Sequence, residues 1–222
     1  MKNISVVILS LFISKFTMAQ HATKIRYLPL GDSYTICTGA TSEESWPKLL
    51  TTHLNNTGIS TTLLGNPARN GFSTQELINN ELPLVDKLQP NFVTLLIGVN
   101  DWVREVSITE FENNLITILN TLEQKLPTNS TLIIITIPDF GVTPQGAKYG
   151  GGRSISEGIH SFNQVIIQAA KKRNLTVVDI FELSKKMKTD SALIATDGLH
   201  PSAKEYAQWE NKILPVAIKL LK

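Results

Sequence analysis

The chain has 222 residues, a formal charge of +2 and one cysteine, with 42% hydrophobic and 18% charged residues. So small a net charge gives no basis for a nucleic-acid partner held by phosphate contacts, and a single cysteine excludes an intramolecular disulfide. A chain of this length buries a full core without a disulfide or structural metal, so one domain over residues 20–222 is expected.

Residues 1–19 read as a secretory signal peptide. Lys2 starts it, residues 4–13 form a short apolar run, and Thr17 and Ala19 place small side chains at the −3 and −1 positions of a cleavage site before Gln20. The run is shorter than the ~20 residues that span a bilayer, and no later segment is longer. Export to the periplasm or the medium is expected, with no integral membrane segment after signal removal. Loss of Lys2 and Lys15 with the signal leaves basic and acidic residues equal in number. The one basic cluster, Lys171-Lys172-Arg173, suits a solvated helix end.

Residues 25–30 are rich in β-formers and run into Gly31-Asp32-Ser33-Tyr34, a strand followed by a small-residue turn. Residues 44–56 place Trp46, Leu49, Leu50 and Leu54 on one helical face, and Gly58 ends that helix. A second strand is expected at 59–64, closed by Gly65-Asn66-Pro67. Ser73 with Glu76 three residues on is a capping-box pattern, which starts a helix at Thr74 that Pro83 interrupts before Leu88. The unbroken apolar run at 92–97 predicts a strand buried on both faces, ended by Gly98-Val99-Asn100-Asp101. Ile108, Phe111, Leu115, Ile118, Leu122 and Leu126 recur at three and four residues and predict a long helix. Strands at 131–137 and 175–180, a helix at 155–172 and a last helix at 201–221 containing Pro215 complete the pattern. Strands alternating with helices predict an α/β fold, with parallel strands joined by right-handed crossovers. The connection 138–154 is long for a compact domain and, with Gly158, holds six of the thirteen glycines. A segment of that kind is either substrate-facing or a surface excursion.

In open α/β sheets ligands bind beyond the carboxyl ends of the strands, which makes Ser33 a candidate nucleophile as well as a candidate helix cap. A serine hydroxyl needs a base. Of the four histidines, His21 lies near the start of the chain and His53 and His160 fall within helices. His200 occupies the loop Asp197-Gly198-Leu199-His200-Pro201 before the last helix. Asp197 can accept the Nδ1 proton of His200 and leave Nε2 for Ser33, or the pair is simply a capped turn. Gly71, after the second strand, and Asn100, after the third, can offer a backbone and a side-chain donor to an oxyanion, or serve as turn and cap residues. Cys37, four residues after Ser33, reads as a packing residue. No metal-ligand spacing is present, and no cofactor is expected.

The blocks Gly31-Asp32-Ser33-Tyr34, Arg69-Asn70-Gly71-Phe72-Ser73, Gly98-Val99-Asn100-Asp101 and Asp197-Gly198-Leu199-His200-Pro201 occur in the order found in GDSL-type, or SGNH, serine hydrolases, and the chain resembles that family from Lys24 to the last helix. The resemblance is closest to lysophospholipase L1-like and short-chain esterases. It implies a flavodoxin-like three-layer α/β/α sandwich with a five-stranded parallel sheet, Ser33 as nucleophile, His200 as general base, Asp197 as its orienter, and an oxyanion hole made by the Ser33 and Gly71 N–H groups and the Asn100 side chain. Asp32, Tyr34, Trp102 and Asp139 are the candidate substrate-binding residues. The expected substrate is a small-molecule or glycan ester. A carbohydrate O-acetyl esterase, with Trp46 and Trp102 as a sugar-stacking face, keeps the same chemistry, and a binding module that has lost activity is the alternative of another class. A phosphate-cradling loop at Gly31 lacks both the P-loop lysine and a Gly-x-Gly-x-x-Gly pattern. Oligomeric state has no sequence signal.

Overall fold

The structure is a computed structural model that describes residues 24–222. The reading of residues 1–19, and His21, lie outside the described residues.

Five strands form one parallel sheet: β1 (Ile25–Gly31), β2 (Thr61–Leu63), β3 (Phe92–Leu96), β4 (Thr131–Ile135) and β5 (Thr176–Val178), in the order β2-β1-β3-β4-β5. This is the flavodoxin-like order, and the expected α/β sandwich is what the chain adopts. β3 is buried at every residue, as its unbroken apolar run requires of a central parallel strand. The edge strands β2 and β5 are three residues each, shorter than the expected segments 59–64 and 175–180.

The helices are α1 (Ser33–Ile36), α2 (Trp46–Asn56), α3 (Thr74–Asn80), α4 (Leu82–Leu88), α5 (Val99–Val103), α6 (Ile108–Lys125), α7 (Ile155–Lys172), α8 (Phe181–Ser184) and α9 (Ala203–Leu221). α2 packs on α9 over one side of the sheet, while α3, α4, α6 and α7 pack against one another over the other. The helix expected from Thr74 breaks at Glu81 and not at Pro83, which fits the unbonded first turn of α4. Glu81 is fully buried, and its Oε2 accepts from the Gly31 N–H at 2.9 Å. The last helix starts at Ala203, two residues later than expected, with Ser202 as its N-cap. The short helices α5 and α8 carry too few residues for a periodic signal.

Sheet order places the site. β1 feeds β2 on one side and β3 lies on the other, so the chain leaves the carboxyl ends of β1 and β3 in opposite directions and opens a crevice between them. Gly31 closes β1 against β3: a Cβ there would stand 2.2 Å from the Leu96 carbonyl oxygen, so only glycine permits the approach.

Candidate active site

Ser33 is the first residue of α1, directly beyond β1, and is 6% exposed. The turn that presents it is held by Asp32, whose Oδ1 accepts from the Tyr34 N–H at 2.9 Å. Asp32 itself is fully buried, and burial, partly opposed by that hydrogen bond, lifts its carboxyl to about 8. Burial also lifts Glu81, on the other side of Gly31, to about 9.

Asp197 and His200 lie in a closed loop before α9. Asp197 Oδ1 accepts from the Leu199 and His200 N–H groups at 2.8 and 2.9 Å, and Oδ2 pairs with His200 Nδ1 at 2.6 Å. Partial burial raises the Asp197 carboxyl, but the hydrogen bonds from the His200 ring and the two backbone N–H groups outweigh it and hold the group below its ordinary value. An ionised Asp197 accepts at Oδ2, so Nδ1 of His200 carries a proton and Nε2 is the nitrogen left for chemistry. The loop is braced by Ala195 N–H donating to His200 O at 2.8 Å. The Tyr34 ring meets the imidazole edge-on, with centroids 5.9 Å apart. Tyr206 of α9 donates to the Thr38 carbonyl at 2.9 Å, which ties the His200 side of the site to the Ser33 side.

Gly71 has φ +80°, left-handed backbone that favours glycine. Asn100, in the first turn of α5, donates one Nδ2 hydrogen to the Phe72 carbonyl at 2.9 Å, which fixes its amide and leaves the second hydrogen. Ser33, Gly71, Asn100 and His200 share one cavity of about 200 Å³, whose apolar wall includes Val99, Val103, Phe140, Tyr149 and Leu199.

Of the residues expected to bind substrate, the structure brings only Tyr34 to the cavity. Asp32 faces the protein interior beneath the turn. Asp139 is fully buried and accepts from the Gly141 N–H at 3.1 Å and the Ser156 hydroxyl at 2.6 Å. Trp102 is 6% exposed, with the Arg153 guanidinium 4.1 Å from its ring centroid. Trp46 is fully buried and donates from Nε1 to the Tyr34 carbonyl at 2.9 Å. Each of these side chains is buried in the protein, so none offers a sugar-stacking face or a carboxylate to the cavity. The segment 138–154 does face the site, through Phe140 and Tyr149, in two short helical turns at Phe140–Val142 and Gly146–Tyr149.

A model of the GDSL-like lipase/acylhydrolase family matches residues 30–208, a span that contains Ser33, Gly71, Asn100, Asp197 and His200. The chain belongs to the GDSL-like lipase/acylhydrolase family. As a GDSL-like hydrolase it is similar to a multidomain esterase of Ruminococcus flavefaciens, 28% identical over 125 residues that make up 55% of this chain and 15% of that protein. The GDSL-like fold is shared with a family 3 carbohydrate esterase of Clostridium thermocellum, at TM-score 0.72 and 20% identity over 90% of this chain and 98% of that one. It is shared also with the esterase EstA of a Pseudoalteromonas species, solved inhibited by monoethylphosphonate, at TM-score 0.68 and 21% identity over 88% of this chain and 97% of that one.

Proposed function

We propose that the protein is an exported serine esterase acting on short acyl esters, with residues 20–222 as its hydrolase domain. The observation that carries this is the 2.6 Å pair of Asp197 Oδ2 with His200 Nδ1 on the rim of the cavity that also holds Ser33, Gly71 and Asn100. In the proposed reaction His200 Nε2 takes the Ser33 proton as Oγ attacks the ester carbonyl. The tetrahedral oxyanion is met by the N–H groups of Ser33 and Gly71 and by the second Asn100 amide hydrogen. Collapse of the intermediate returns the proton to the departing alcohol and leaves an acyl-serine. Water, deprotonated by His200, then releases the acid and restores Ser33. Asp197 holds the imidazole in the required tautomer throughout.

A cavity of about 200 Å³ lined by Phe140, Tyr149 and Val103 suits an acetyl or similarly short acyl group; sites for drug-sized ligands run from roughly 300 to 1,000 Å³. A second reading places the acyl group on a sugar. A neighbouring cavity of about 370 Å³ is lined by Gln145, Lys148, Tyr149, Asp197 and Leu199, and Tyr149 is 47% exposed. Its mix of donors, acceptors and an accessible ring suits the hydroxyls and apolar face of a sugar better than an acyl chain. The test is turnover of p-nitrophenyl acetate by the wild type and by Ser33→Ala, which should lose at least roughly 10³-fold in kcat. Retained turnover would remove Ser33 from the reaction. Acetate release from an acetylated glycan, measured beside p-nitrophenyl esters of rising acyl length, separates the two substrate readings.

A further inference from the structure

The loop that carries Gly71 is held by one short helix. Asn100 of α5 donates to the Phe72 carbonyl, and Asp101 Oδ2 accepts from the Thr74 N–H at 2.9 Å while Oδ1 accepts from the Thr74 hydroxyl. Arg104, the residue that ends α5 one turn after Asn100, reaches Gly71 itself: Nη2 donates to the Gly71 carbonyl at 2.6 Å. Its Nη1 donates to both Glu76 carboxylate oxygens at 2.9 Å. Glu76 in turn accepts from the Ser73 N–H at 2.7 Å and from the Ser73 hydroxyl. Burial pushes the Glu76 carboxyl up, but the Ser73 and Arg104 hydrogen bonds prevail and bring it to about 2.

An exposed ion pair such as Arg104–Glu76 contributes little to stability by itself. The contact with the Gly71 carbonyl is different in kind. Glycine has the widest backbone freedom of any residue, and Gly71 sits at φ +80° with no side chain to restrain it. An oxyanion donor is effective only when it is aimed before the charge develops. Gly71 therefore needs a restraint from outside its own residue, and the guanidinium supplies one to its carbonyl while Asn100 holds the next.

We propose that Arg104 is a positioning residue for the oxyanion hole, with Glu76 orienting its guanidinium so that the Gly71 N–H stays aimed into the cavity. The inference rests on the esterase reading above. Arg104→Lys keeps the positive charge beside Glu76 but replaces the planar fork, whose two nitrogens serve Glu76 and the Gly71 carbonyl separately, with a single compact ammonium. On p-nitrophenyl acetate, with active sites counted by fluorophosphonate end-point titration, kcat should fall about tenfold in Arg104→Lys and about 10- to 100-fold in Arg104→Ala. These losses are smaller than the roughly 10²- to 10³-fold expected for removing a donor outright. KM should stay within about twofold, because the ground-state ester makes no call on the aimed N–H, and millimolar guanidinium should restore part of the Ala variant's kcat. If kcat per active site is unchanged in both variants, or if only KM or the melting temperature moves, Arg104 is merely a surface brace and the proposal fails. If Arg104→Ala does not fold, the Lys variant decides alone. A wild type with no turnover of the ester overturns the esterase reading itself, which is a distinguishable result.

Discussion

Asp197→Asn is the substitution whose outcome the geometry determines most fully. Asp197 Oδ1 accepts from two backbone N–H groups, those of Leu199 and His200, at 2.8 and 2.9 Å. An asparagine here must keep its carbonyl oxygen on those donors, because turning the amide would set NH₂ against two N–H groups. Its NH₂ then faces His200 Nδ1, which has to accept, and the imidazole proton moves to Nε2. That tautomer cannot take the Ser33 proton. The two turn-forming hydrogen bonds survive, so the fold is retained while the chemistry is lost. In a serine protease triad the equivalent change costs about 10⁴-fold in kcat, or about 5 kcal/mol of transition-state stabilisation. The assay is kcat on p-nitrophenyl acetate near pH 7.5, with a melting curve beside it. Asp197→Ala should show the same loss of turnover together with a lower melting temperature, since both backbone N–H groups lose their acceptor. An Asp197→Asn enzyme within about tenfold of wild type would refute the assigned hydrogen-bond roles.

Stability should fall as pH rises from about 5 to about 9. In the unfolded chain the carboxyls are ionised above roughly 4, whereas in the folded protein Asp32 and Glu81 hold their protons to about 8 and about 9. The native state therefore binds more protons in that window, and linkage makes unfolding easier with each step in pH. Glu81→Gln, which still accepts from the Gly31 N–H but does not titrate, should flatten the slope in urea melts at pH 5, 7 and 9; an unaltered slope would remove Glu81 from the account. Among acyl esters, kcat/KM should decline from acetate and butyrate to octanoate. Tyr149→Ala, which opens one wall of the cavity, should shift the preference toward longer chains; a wild type that favours octanoate would refute the short-acyl reading.

The sheet and the polar corners of the site were legible for one reason. Parallel strands buried on both faces leave continuous apolar runs, and the residue types that follow such runs mark the sheet edge where ligands bind. Ser33, Gly71, Asn100 and the Asp197–His200 pair all stand beyond that edge or in the loop closing it, and the structure brings Ser33, Gly71, Asn100 and His200 to one cavity. What sequence position does not reveal is which way a side chain turns. Asp32 lies within one of these blocks, Trp102 directly follows another and Asp139 follows β4, yet all three side chains are buried in the protein. The cavity walls escaped notice for the opposite reason: Val99, Val103 and Leu199 look like ordinary core residues until the crevice is seen beside them. Glu81 and Arg104 were missed because their roles depend on contacts with Gly31 and Gly71, 50 and 33 residues away. A charged residue one helical turn after Asn100 was the only local hint of the second.

The central claim is that Ser33 forms the acyl-enzyme, and covalent trapping tests it most directly. Wild-type protein treated with a fluorophosphonate and analysed by intact mass and peptide mapping should carry one phosphonyl group, on the peptide containing Ser33, and should lose ester hydrolysis in step with labelling. Ser33→Ala should carry none. Labelling of another residue, or full activity with Ser33 modified, would contradict the account.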